Sequence, residues 1–232
     1  MISARQMKKH YLIWDLPLRI FHWSFATSIM LLWLTSELGT DYIDWHLKLG
    51  YLVLALVSFR LVWGFVGPHH ARFFNFFPTP KKIIQYLKHK DQVYAGHNPI
   101  GGLMVFAMLF LVLVQGVSGL FVDDEVFTSG PYFNSAGAEI DSLMRTLHFN
   151  TFDFILAAIA LHVAAIVFYK LIKNQHLTKA MVTGKKSSQG LSESDEIPHS
   201  KLILALIIAI LACAFIYWLV VVNPPPMEEF YY

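Results

Sequence analysis

The chain is 232 residues long, 56% of them hydrophobic and 15% aromatic, with only 15% charged residues and a net charge of +2. Soluble domains carry about 25% charged residues, so this composition, at a mean hydropathy of +0.49, puts most of the chain in an apolar medium and argues against nucleic acid as a partner. Cys213 is the single cysteine, which excludes an intrachain disulfide, a cysteine-held metal cluster and a C-x-x-C-H haem attachment.

A transmembrane helix needs about 20 predominantly apolar residues, and five stretches meet that length: residues 19–38, 46–66, 99–122, 144–170 and 201–222. The first is followed by no small-residue cleavage site, so it is expected to remain as an anchor. It opens on Arg19 and carries His22 near its start, and an acidic connection (Glu37, Asp41, Asp44) follows. The second stretch begins with His46 and Lys48 and contains Gly50 and Gly64. A basic connection (Arg72, Lys81, Lys82, Lys88, Lys90) leads through His97 and Asn98 into the third, which contains Gly102 and Gly116. The next connection is acidic (Asp123, Asp124, Glu125, Glu139, Asp141), a surface suited to steering a positively charged partner. The fourth stretch, polar at its start, holds Arg145, His148 and His162. A further basic connection (Lys173, Lys179, Lys185, Lys186) and a polar linker, residues 186–200, precede the fifth stretch and its tail with Glu228 and Glu229.

Basic and acidic connections alternate without a break, starting from Arg5, Lys8 and Lys9. Of the 18 lysines and arginines, all but Lys48 and Arg145 fall on the side of the N-terminus. The positive-inside rule then predicts five spans with the N-terminus in the cytoplasm and the C-terminus outside. The expected fold is an all-α, multi-pass inner-membrane protein: a four-helix bundle over residues 1–185, the linker 186–200, and a fifth helix with a short periplasmic tail over 201–232.

Ionisable residues inside a membrane are costly and mark functional sites by default. Of the 11 histidines, His22, His46, His148 and His162 fall within the predicted spans. His162 follows His148 by 14 residues, close to four turns and about 21 Å of rise, so the fourth helix presents one imidazole at each side of the bilayer on one face. With the topology fixed, His46 pairs with His148 on the outer side and His22 with His162 on the cytoplasmic side. Two imidazoles approaching from facing helices are what a six-coordinate haem iron requires. Gly50 and Gly64, like Gly102 and Gly116, also stand 14 apart, a spacing that leaves room for a flat cofactor at two levels. Lys48 and Arg145 near the outer pair, and Arg19 near the inner, are candidate partners for haem propionates.

The segments WDLPLRIFHW (14–23), WHLKLGYLVLALVSFRLVWGF (45–65), GPHHARF (67–73) and GHNPIGGL (96–103), together with the His148…His162 helix, resemble the prokaryotic cytochrome b-561 family, which includes the b-type cytochrome subunits of nickel–iron hydrogenases. The resemblance covers about residues 11–185. It implies a four-helix core with two b haems on opposite sides of the membrane, ligated at positions matching His22, His46, His148 and His162. It also implies a quinone site, for ubiquinone or menaquinone, near the cytoplasmic haem at positions matching His97 and Asn98. The expected function is electron transfer between the quinone pool and a periplasmic redox partner: a hydrogenase, a c-type cytochrome or another reductase. The fifth helix departs from stand-alone members and suits docking of a subunit outside the membrane. The alternatives are a haem-free transporter or proton relay using the histidines and Asp153, or a structural membrane anchor; a relay would need polar groups through the midplane, where the fourth helix reads Ile155–Leu161.

Overall fold

Helix starts follow the local chemistry of the sequence. In α1 (Leu16–Glu37) the side chain of Asp15 accepts a hydrogen bond from the Leu18 amide at 2.9 Å, with Pro17 in the first turn. Thr79 caps the short α4 (Pro80–Lys88) and Asn98 caps α5 (Pro99–Gly119) in the same way, each followed directly by proline. An acceptor at the cap satisfies an otherwise orphaned amide, and proline at the first position is pre-set for the helix. The helices α2 (Ile43–Val66) and α6 (Ala138–Leu171) have no side-chain cap and instead begin after turns at Gly39 and Gly137, both at φ +89°. The remaining helices are α3 (Phe73–Phe76), α7 (Leu177–Thr183) and α8 (Leu202–Tyr217), the last continuing as a wider turn through Val222.

The computed structural model describes residues 9–89, 92–126, 128–187 and 190–226. Arg5 and Lys8, Lys90, the linker residues Ser188 and Gln189, and the tail carboxylates Glu228 and Glu229 lie outside the described residues. Among the described residues, four helices are long and apolar enough to cross a membrane: Thr40–Val66, α5, α6 and Leu202–Val222. The helix α1, the first of the five expected spans, has 22 residues, about 33 Å, but His22, Ser24, Thr27, Ser28, Thr35 and Ser36 dilute its apolar character.

The helices form a bundle in which α1 lies on α2, α2 on α5 and α5 on α6. The helix α8 runs along α2, where Ala205, Ile208 and Ala212 join Leu18, Phe21, Phe59 and Trp63 in one buried cluster. Its far end meets Leu54, Ala55 and Leu120 through Ile216 and Val220. Large apolar side chains such as Phe110, Phe154, Leu161, Ile203 and Leu211 remain exposed, an outer surface suited to lipid rather than water.

One end of the bundle is closed by chain that composition alone marks as connecting. Strand β1 (His10–Leu12) pairs antiparallel with β2 (Lys185–Ser187), His10 opposite Ser187. The Gly184 carbonyl accepts from the amides of Ile13 and Trp14, and the Ile197 amide donates to the Leu12 carbonyl. His70 Nε2 donates to the Asp195 carbonyl at 2.7 Å, and Lys201 Nζ donates to the Val66 carbonyl at 2.9 Å. The linker is therefore docked on the bundle and leads directly into α8.

Candidate haem centres

The four histidines of the spans meet in two pairs. The rings of His46 on α2 and His148 on α6 have centres 6.4 Å apart, and those of His22 on α1 and His162 on α6 are also 6.4 Å apart. A metal–imidazole bond is about 2.0 Å long, and each ring centre lies about 1.1 Å behind its nitrogen, so two imidazoles on opposite sides of one metal would have centres roughly 6.2 Å apart. Both pairs meet that spacing. Among the described residues no group of three or more histidine, cysteine or carboxylate side chains is placed to hold a metal. Each pair would offer two imidazole nitrogens, a donor set that would suit a metal already held in a macrocycle.

The first pair is oriented by its surroundings. His46 Nδ1 lies 3.1 Å from the Leu32 carbonyl and 3.2 Å from Thr35 Oγ1 on α1. His148 Nδ1 lies 3.0 Å from the Gln115 carbonyl on α5. A carbonyl can only accept, so Nδ1 carries the proton in both rings and Nε2 keeps its lone pair. This is the arrangement that fixes a metal-binding histidine's tautomer and direction. Gly119 brings the α5 backbone against the same ring: a Cβ there would stand 2.8 Å from His148 Cε1. At the second pair, His22 Nδ1 is buried without a hydrogen-bond partner among the described residues.

At three of the glycines the clearance is occupied by protein. A Cβ at Gly64 would lie 2.0 Å from the Phe73 ring, one at Gly102 2.5 Å from the Phe76 carbonyl oxygen, and one at Gly116 2.8 Å from Leu54 Cδ2. Gly50 alone of the four opens on space with nothing within 4 Å.

The cations are also partly committed. Arg145 donates to Asp123 at 2.9 Å and to Glu125, and lies over Phe149. The acidic connection therefore carries its own counter-charge, contrary to its appearance in sequence. Lys48 lies 5.1 Å over the Trp45 ring, and Arg19 donates to the Val182 carbonyl at the end of α7.

At the entrance to α5, Asn98 is a cap: its Oδ1 accepts from the Gly101 amide at 2.7 Å, and its Nδ2 donates to the Tyr169 hydroxyl at 2.6 Å. Tyr169 and Tyr86 hydroxyls meet at 2.5 Å. His97 lies between Trp14 and Phe76, ring centres at 4.8 and 4.5 Å, with Nδ1 buried and unpartnered among the described residues. Burial, reinforced by Arg60 and Lys186, pushes its pKa down to about 3, so it is a neutral ring at physiological pH. Lys186 donates to the Ala95 carbonyl at 2.6 Å, holding the turn before it. Beside this turn a half-open cavity of about 220 Å³ is lined by Asn75, Phe76, Lys82, Gln85, Gln92, Tyr94 and Pro99.

Gln115, Thr35, Gly119 and Arg60 escaped the sequence reading. Gln115 carried a legible signal, being a polar side chain in an apolar run.

The long apolar helices define a helical membrane protein. The chain belongs to the prokaryotic cytochrome b561 family, whose model matches residues 13–184. Curated relatives include a probable Ni/Fe-hydrogenase B-type cytochrome subunit of Azotobacter chroococcum, 24% identical over 207 residues that cover 74% of this chain and 86% of the relative. The counterpart from Cupriavidus necator is 22% identical over 225 residues, covering 80% and 90%. No solved structure matches.

Proposed function

We propose that the chain carries electrons across the membrane through two b haems, one ligated by His46 and His148 and the other by His22 and His162. The observation that carries this reading is the pair of facing imidazoles at 6.4 Å, repeated at two levels of one bundle. Bound haem supplies one-electron redox chemistry. The residues of the chain supply the axial nitrogens, the hydrogen bonds that orient two of them, and an apolar surrounding that keeps water away. The four-helix unit over residues 1–185 contains both sites, and the fifth helix, 201–222, braces α2 from outside.

With the basic connections in the cytoplasm, the His22/His162 site faces inward and the His46/His148 site outward. Electrons pass between quinone at the inner end and a redox partner at the outer end. The neutral, unpartnered Nδ1 of His97 supports that residue as the quinone contact, whereas the Asn98 side chain is occupied in capping. The relatives named as hydrogenase cytochrome subunits support a hydrogenase as the outer partner. Lys48 remains available to the outer propionates.

The test is haem stoichiometry. Purified, fully loaded protein should hold two b haems per chain, and His46→Ala should remove one and leave the other with its spectrum unchanged. A ratio of one in loaded wild-type protein would refute the two-site reading. His97→Leu should slow quinone-linked haem oxidation or reduction without changing either spectrum.

A further inference from the structure

Arg60 lies within the apolar run of α2 at 2% exposure, its guanidinium 4.4 Å from the centre of the Phe73 ring. Its Nη1 is cut off from solvent and has no hydrogen-bond partner among the described residues. No described carboxylate comes within ion-pairing distance of it. Asp15 exerts some attraction on it, but its Oδ1 is engaged by the Leu18 amide and Trp63 Nε1. A buried guanidinium with unmet donors is costly to hold, so an acceptor belongs beside it in the working protein.

Position indicates which acceptor. Arg60 follows His46 by 14 residues on α2, the same interval that separates His148 from His162 on α6. Four turns bring it to nearly the same face as His46 but about 21 Å along the helix, at the level of the other imidazole pair. Where α6 offers a histidine at both levels, α2 offers a histidine at one and an arginine at the other. Among the described residues, four buried donor-capable nitrogens without hydrogen-bond partners are found at this end of the bundle: Arg19 Nε, His22 Nδ1, Arg60 Nη1 and His97 Nδ1. Such a group calls for an acceptor-rich ligand, and the planar fork of a guanidinium matches a carboxylate. Arg19, the nearer candidate in sequence, spends its Nη1 on the Val182 carbonyl.

We propose that Arg60 binds a propionate carboxylate of the haem held by His22 and His162, fixing the rotation of that haem in its site and raising its reduction potential. This rests on the two-haem reading above. A cation paired to the propionate opposes the extra positive charge of the oxidised iron, so its removal should favour oxidation.

The experiment uses the full, haem-loaded chain. In a redox titration of Arg60→Met, the wave that His22→Ala abolishes should move to more negative potential while the other stays in place. Haem from that site should also dissociate roughly ten- to hundredfold faster, as for the loss of a charge-assisted hydrogen bond. Arg60→Lys, which keeps the charge but loses the fork, should recover most of the potential and little of the retention. Reconstituting haem-free chain with haem dimethyl ester, which has no propionate charge, should erase the difference in haem retention between wild type and Arg60→Met. An unmoved wave in folded Arg60→Met, or a retention difference that survives with the ester, overturns the proposal. If Arg60→Met does not fold, the retention difference between wild type and Arg60→Lys decides in the same way: it must vanish with the ester. A wild-type protein with a single haem would instead refute the reading beneath the proposal, and stoichiometry alone distinguishes that case.

Discussion

At Gly119 an added methyl group would stand 2.8 Å from Cε1 and 3.0 Å from Nδ1 of His148, with the ring held on its other side of Nδ1 by the Gln115 carbonyl. Gly119→Ala is therefore expected to displace the imidazole, lowering the content of the outer haem or broadening its spectrum while the inner haem is unaffected. Gly64→Ala should behave differently, since its methyl would collide with the Phe73 ring at 2.0 Å. Overpacking of that kind destabilises by about 1–3 kcal/mol, so thermal unfolding should come earlier and both spectra should remain. Equal effects of the two substitutions on the outer haem would contradict this division. The contrast shows what a single sequence reveals at this scale. The four histidines were legible because an imidazole in an apolar run has few structural uses, and a 14-residue interval on one helix fixes both depth and face. The glycines shared that interval, but spacing says nothing about what fills the clearance, and at three of four positions the answer is protein. Arg60 was hidden by the charge rule itself: at the cytoplasmic half of α2 it counts as one more inward cation, and only its burial separates it from the others.

Lys186 shows how a short element can hold a site together from a distance. In β2 its ammonium reaches the carbonyls of Tyr94, Ala95 and Gly96 and lies over the Trp14 ring, so the strand ties the turn carrying His97 to the N-terminal strand. Burial lowers its pKa from 10.5 to about 8. Between those values the unfolded chain binds more protons than the folded one, so stability should rise with pH across roughly pH 8 to 10.5 and level off beyond. The contribution is on the order of 3 kcal/mol over that window. Unfolding midpoints in detergent should show the rise in wild type and a flatter profile in Lys186→Met; identical profiles would mean that the ammonium is solvated in solution. Composition could not reveal this element. The run KKSSQGLSESDEIPHS is polar enough to read as a tether, and its pairing with residues 10–12 joins positions far apart in sequence. The long helices, by contrast, were legible because apolar length is itself the signal, and the start of α5 was marked by the acceptor–proline pair Asn98–Pro99.

Whether five helices cross the membrane turns on α1, which is less apolar than the other four. Two contacts indicate that it traverses the bundle. Near its start, His22 faces His162; near its end, Thr35 meets His46 Nδ1 at 3.2 Å. His162 and His46 belong to the two imidazole levels, so α1 runs the distance between them, about 20 Å over 13 residues. The exceptions to the charge rule also weaken in three dimensions, since Arg145 is paired with Asp123 and Glu125 and Lys48 lies over Trp45. On the topology proposed above, two exceptions stand against 16 lysines and arginines on the side of the N-terminus, and that bias sets the expected orientation. A reporter that works only outside the cytoplasm should accordingly be active when fused after Pro226, behind α8, and silent when fused after Gly184. A cytoplasmic reporter should give the reverse. If both fusions report from the same side, α8 lies on the bundle without crossing; if the pattern is reversed, a span is missing before Gly184. A cysteine placed at Asp41 would then decide, because labelling from outside requires that α1 has crossed.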